Sequence, residues 1–247
     1  MEHLGTLFQL ALKRRSKDFF VLFYNMIFPI IVIVLLGYLT SKSYSKDFTS
    51  YHYYTVVMIP FCSLMGVTTV SYAAQEEKTF KTVYRYMAAP ISKGELVVAK
   101  FLSCVIVFAL CSIVTLGISK LLFNMEFNGR FLWIVLLLIC ESAAVTGIGL
   151  FLGLACKSLD TLRNFLNLPI VIFGFLGGVF FPVNFFQPVL SGMIKLSPLT
   201  WVNRGIVSCL FDNNVHILWI VSAVFLLTGC IAAGLTVKFF KKEVLIS

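Results

Sequence analysis

The stretch FFVLFYNMIFPIIVIVLLGYLTS, Phe19 to Ser41, holds no charged residue, and basic clusters stand on both sides of it, KRRSKD before and KSYSKD after. A hydrocarbon core about 30 Å thick takes roughly 20 apolar residues of α-helix, so this run is long enough to cross a bilayer. It is continuously apolar, whereas a barrel strand alternates, and that selects helix. As the hydrophobic region of a cleavable signal it is too long, and it ends in YLTSKSYS without a small-residue cleavage pattern, so it is expected to stay in the protein.

Working outward, uncharged runs recur from Phe48 to Gln75, Phe101 to Ser119, Asn164 to Ile194 and Asn213 to Val237, and Phe131 to Cys156 matches them except for Glu141. The chain is 59% hydrophobic and 13% charged, with a mean hydropathy of +0.94, beyond the roughly 45–50% apolar content of soluble domains. The expected fold is one all-α membrane domain over residues 1–247 with six transmembrane helices, near 19–40, 52–75, 97–119, 131–155, 164–181 and 215–237. Ahead of the first, Leu4, Leu7, Phe8, Ala11 and Leu12 share a helical face and KRRSK follows, the pattern of a short interfacial helix.

Links such as SKSYSKD and KLLFNMEFNGR are too short for a folded outer domain. The run from Asn164 is different, because Pro182, Pro188 and Pro198 interrupt it. A straight helix cannot pass them, so the span is expected to end near Phe181. Beyond it, residues 182–214 hold two apolar segments too short to cross, expected as a re-entrant or interfacial pair on the outer side, with Trp201 and Trp219 in the aromatic belt.

With the N-terminus inside, fourteen Lys and Arg flank the cytoplasmic ends of the spans and six the outer ends. Both termini are therefore expected in the cytoplasm, and the net charge of +9 follows from topology rather than from nucleic-acid binding. Seven scattered cysteines without a CxxC pair, and three histidines far apart, give neither a disulfide framework nor a metal site. No G-x-x-x-x-G-K-[ST] phosphate loop is present, so any ATP hydrolysis belongs to a separate chain.

Glu76 to Lys100, EEKTFKTVYRYMAAPISKGELVVAK, concentrates eight charges. Phe80, Val83, Tyr84 and Met87 recur at helical spacing, while Glu77, Lys81 and Arg85 follow one another at i, i+4, i+8 on another face. Pro90 ends that amphipathic helix, and Ser92-Lys93-Gly94-Glu95 has the capping-box form that starts the next. The pattern is a cytoplasmic elbow between two spans.

These residues resemble the corresponding segment of ABC-2 type transporter permeases, and GGVFFPVNFFQPVLSGMIKLSPLTWVNRGI resembles that family's outer segment after its fifth span. With six spans the likeness covers nearly the whole chain. It implies a non-enzymatic permease subunit of an ABC exporter in a bacterial cell membrane, coupled to a separate ATPase subunit that carries the ATP and Mg, with no cofactor on this chain. The elbow would be the coupling helix, a rigid segment able to pass a domain movement to the spans at its ends. Glu76, Glu77, Lys81 and Arg85 would orient the ATPase, and Phe80, Tyr84 and Met87 would anchor it. Six spans make half of a two-sided pathway, so a second permease copy, identical or related, is expected, and Gly149/Gly153 and Gly174/Gly178 have the G-x-x-x-G spacing of close helix contacts.

Two other classes compete. An intramembrane enzyme would need a second catalytic group beside Glu76-Glu77, and H-E-x-x-H and G-x-S-x-G are both missing. A secondary transporter or channel would place several ionisable groups in its spans. This chain offers Glu141, eleven residues in from Arg130, about 16 Å along the helix and near the midplane. Its side chain is expected to face the bundle, where two readings stand. In one it is neutral and bonded to a neighbour such as Ser112, Thr115 or Asn167; in the other it lines a substrate pathway. The substrate, whether drug-like, lipid-like, peptide or ionic, is not written in the sequence.

Overall fold

The computed structural model describes residues 4–44, 49–76, 91–127, 129–155, 159–180, 187–212 and 214–239. Among these residues every regular element is a helix, as continuous apolar runs without alternation require. In order they are α1 (Leu4–Ser16), α2 (Phe19–Leu39), α3 (Ser50–Ala74), α4 (Lys93–Phe123), α5 (Phe131–Ala155), α6 (Leu159–Leu176), α7 (Gln187–Leu196), α8 (Pro198–Leu210) and α9 (His216–Phe239). By length and composition α2, α3, α4, α5 and α9 are able to cross a membrane. The apolar part of α6, Asn164–Leu176, is shorter.

The early end of α6 has a local cause. Gly177 N donates to Phe173 O at 2.8 Å and Val179 N to Gly174 O at 3.0 Å, with Gly178 at φ 79°, a left-handed closure that a side chain would strain. The helix therefore stops at Leu176, ahead of the Phe181 end inferred from Pro182: the glycines terminate it before the proline is reached.

α2 begins on Asp18, whose carboxylate accepts from Phe20 N at 3.0 Å and Val21 N at 3.4 Å. A π-helical turn, Phe23–Ile27, then precedes Pro29. Proline has no N–H to offer the carbonyl of Asn25 four residues back. Thr115 Oγ1 of α4 lies 3.0 Å from that carbonyl and shares its hydrogen with Cys111 O. The Pro29 irregularity is thus matched by a hydroxyl on a neighbouring helix.

α5 is the centre of the bundle, packed against α3 on one side and α9 on the other. Small residues make both contacts possible. A Cβ at Gly149 would lie 2.7 Å from Val70 Cβ and 2.9 Å from Val67 O, and one at Gly153 would lie 2.6 Å from Ser71 O. On the opposite side Gly147 meets the backbone of Gly229. Gly174 of α6 faces Phe61 of α3, whose ring would be 2.6 Å from an added Cβ. The G-x-x-x-G pairs expected to serve a subunit contact are therefore used inside the chain: Gly149 and Gly153 seat α3, Gly174 seats the Phe61 ring, and Gly178 turns the backbone. α1 lies along α4, with Leu12 against the core.

Candidate coupling junction and buried carboxylate

Where α3 ends, its unpaired carbonyls need donors. Lys100, on the second turn of α4 and only 7% exposed, supplies them: its Nζ lies 2.9 Å from Ala73 O and 3.0 Å from Ala74 O. A cation there also suits the negative end of the helix dipole. One residue on, Gln75 Nε2 donates to Gly153 O of α5 at 2.6 Å. Glu76 then turns to α1, its Oε2 3.7 Å from Arg15 Nη2, while Arg15 Nη1 donates to Asp18 Oδ2 at 2.7 Å. Arg15 is 6% exposed. The end of α3 is thus fastened to α1, α4 and α5 at three successive positions.

This is the point from which the candidate coupling segment departs. Of its named residues Glu76 is held by Arg15, and Glu77, Phe80, Lys81, Tyr84, Arg85 and Met87 lie outside the described residues. At Ser92, ahead of α4, the capping box is complete: Glu95 N donates to Ser92 Oγ at 3.2 Å and Ser92 N to Glu95 Oε2 at 3.0 Å. Sequence reading used Arg15 and Lys100 only to orient the spans. Both are clamps, and the available signal was that Lys100 directly abuts an apolar run at a helix start, where a long side chain can reach back to a neighbour's end.

Glu141 is 1% exposed, inside the bundle. Among its expected partners, Asn167 is exposed on α6 and Thr115 is turned to Asn25 and Cys111. Its Oε2 has no hydrogen-bond partner among the described residues, and neither has Ser63 Oγ of α3, also 1% exposed. A repeated register relates the two. Gln75 Nε2 donates to Gly153 O, and Ser71 Oγ, which shares its hydrogen with Val67 O, lies 3.1 Å from Gly149 O, each pair 78 positions apart, so α3 and α5 run parallel in step. Two further turns of the same register bring Ser63 level with Glu141. Sequence spacing within α5 gave no hint of Ser63, because the pairing is set by the helix–helix register.

A second polar cluster closes the end of α6. Ser197 Oγ donates to Phe173 O at 3.1 Å, Thr200 Oγ1 to Leu176 O at 3.1 Å, Asn203 Nδ2 to Gly177 O at 2.8 Å and Tyr53 Oη to Gly178 O at 2.6 Å. Four carbonyls at the end of a broken helix, three of them consecutive, are met by α8, the turn before it and α3. Across the same end of the bundle, the Arg130 guanidinium donates to Cys209 O at the end of α8. No group of three or more metal-ligating side chains occurs among the described residues.

A search of curated proteins finds no match. A family model described as ABC-2 type transporter matches residues 2–211, most of the chain. That span takes in α1, the fastened end of α3, the capping-box restart of α4 and the broken α6 with its α7–α8 cover, and the chain belongs to the ABC-2 type transporter family.

Proposed function

We propose that this chain is the permease subunit of an ATP-driven exporter, coupled through Glu76 to Met87 to a separate ATPase subunit that holds ATP and Mg. The observation that carries the reading is the triple fastening at the end of α3. A force applied to a segment rooted at Glu76 is delivered at once to α1 through Arg15, to α4 through Lys100 and to α5 through Gln75. A loop with only a topological role has no need of such a root.

In this reading α2, α3, α4, α5, α6 and α9 are the six spans, both termini are cytoplasmic, and α7 and α8 form the outer re-entrant pair. The hydroxyl, amide and phenol donors on the end of α6 support that arrangement, because non-helical backbone at membrane depth requires protein partners. The permease acts in the cell membrane with a second copy or a related chain. Glu141 is a candidate for the substrate pathway.

The test is to co-purify the permease with its ATPase and compare Phe80→Asp and Arg85→Glu with the parent chain. Loss of an interface anchor costs about 2 kcal/mol or more, at least tenfold in partner occupancy. If both variants retain the ATPase and full export, the elbow is not the coupling element.

A further inference from the structure

A shallow cleft, open to the surface, lies between α1 and the start of α4, at the junction described above but on its α1 side. Its lining is amphipathic: Leu7, Leu10 and Leu96 with Arg14, Arg15 and Lys100, against one carboxylate, Glu76. Three cations line the cleft beside Glu76, and with Asp18, which binds Arg15 from just outside the lining, the local balance is positive by one charge. Arg15 is turned to Asp18 and Glu76, and Lys100 to the end of α3. Arg14, half-buried in the lining, has no ion-pair partner among the described residues. Directly after α1 come Phe19 and Phe20, 67% and 66% exposed, at the start of a helix apolar enough to cross a membrane. With α2 as a span, as the proposed function has it, the cations stand where that helix would leave the headgroup layer for the hydrocarbon.

We propose that this cleft binds the phosphate of an anionic phospholipid, with Arg14 as the principal contact and Arg15 and Lys100 setting the positive field. A free phosphate gains nothing from Leu7, Leu10 and Leu96, whereas a lipid has a glycerol and acyl root to lay against them. Membrane-proximal basic pockets between helices attract acidic headgroups in this way. The lipid would wedge α1 against α4 and so stabilise the element that holds Arg15 to Glu76.

The experiment is native mass spectrometry of the purified permease, delipidated and then offered phosphatidylglycerol and phosphatidylcholine at equal concentration. The parent chain is expected to retain phosphatidylglycerol preferentially, by about fivefold for the first bound lipid, as one basic contact at the membrane surface provides. Arg14→Gln loses that preference, Arg14→Lys keeps most of it, and Lys17→Gln, an equal charge change at an exposed position outside the lining, leaves it intact. A parent chain without preference, or equal losses in Arg14→Gln and Lys17→Gln, would overturn the site. Displacement of the bound lipid by inorganic phosphate as readily as by short-chain phosphatidylglycerol would overturn the lipid assignment. A thermal melt of each variant confirms folding before the comparison. The assay contains no ATPase, so its failure leaves the coupling reading standing, and a failed coupling test leaves the lipid site standing.

Discussion

Gly229 and Gly234 lie five residues apart in α9, and the same substitution should act on them with opposite sign. A Cβ at Gly229 would stand 2.6 Å from the carbonyl carbon and oxygen of Ala143 and 2.8 Å from Ala144 N, all backbone atoms of α5; at Gly234 it would meet nothing within 4 Å. Backbone cannot rotate aside, so α5 and α9 must separate, by about 0.8 Å to restore the 3.4 Å of ordinary contact. Overpacking of this kind costs about 1–3 kcal/mol. Replacing a helical glycine by alanine contributes about 1 kcal/mol of propensity at either site, so that gain cancels in the comparison. The two variants should then differ by the packing cost alone, a gap of about 5 °C in unfolding midpoint for a chain of this size. Buried Cys62, Cys104, Cys111, Cys140 and Cys209 offer the readout, a maleimide dye that fluoresces as unfolding exposes them. Cys230 is exposed and Cys156 lies outside the described residues, so both should first be replaced by serine. Gly234→Ala should melt at or above the parent and Gly229→Ala below it. Equal midpoints, or a more stable Gly229→Ala, would refute the claim that close backbone approach sets the α5–α9 contact.

Lys100→Met keeps the length of the stem but leaves Ala73 O and Ala74 O without their cationic donor; hydrogen bonds to a charged group are worth about 1.5–3 kcal/mol, so the melting midpoint falls and proteolysis between α3 and α4 accelerates. Unchanged cleavage would show that the end of α3 is held without Lys100. Thr200→Val with Asn203→Leu strips two donors from the end of α6, at about 1–3 kcal/mol for each buried carbonyl left unpaired, and thiol labelling of a cysteine introduced at Val179 should rise. Glu141→Gln retains shape and hydrogen-bonding capacity without charge. If Glu141 belongs to the substrate pathway, export and substrate-stimulated ATP hydrolysis fall at unchanged expression, and normal values of both assign it a structural role. Ser63→Ala in the Glu141→Gln background should be less harmful than the sum of the single changes if the two side chains interact, since neighbours in contact are non-additive.

The helical class was legible because burial in hydrocarbon leaves a one-dimensional trace: runs without charge, at the length a bilayer demands. Ser92 and Glu95 were legible for a similar reason, since a capping box is closed by residues three apart. The end of α6 was misplaced because proline is the louder signal, although Gly177 and Gly178 come first and suffice. Gly149 and Gly153 showed that two helices approach closely but not which two. The partners of Arg15, Lys100 and Ser63 were beyond sequence reading for one shared reason. Each acts on a group on another helix, Glu76, the end of α3 and the level of Glu141, and the register that brings them together depends on packing between helices. Six of the residues assigned to the coupling segment, from Glu77 to Met87, rest on helical spacing and family likeness alone.

The stepped hydrogen bonds between α3 and α5 have a mechanical consequence. Two rods merely touching can slide or roll past each other, and a displacement imposed at one end fades along their length. Here Val67 and Val70 sit in the notch of Gly149, Ser71 and Ala74 sit in that of Gly153, and two donors pin the seam, so the pair resists shear like a laminated beam. From Gln75 to Ser63 that beam runs twelve residues, about 18 Å. A tilt imposed beside Glu76 should therefore arrive at the depth of Glu141 with its amplitude largely preserved, and the compliance of the bundle should lie at the outer staves, α2 and α6.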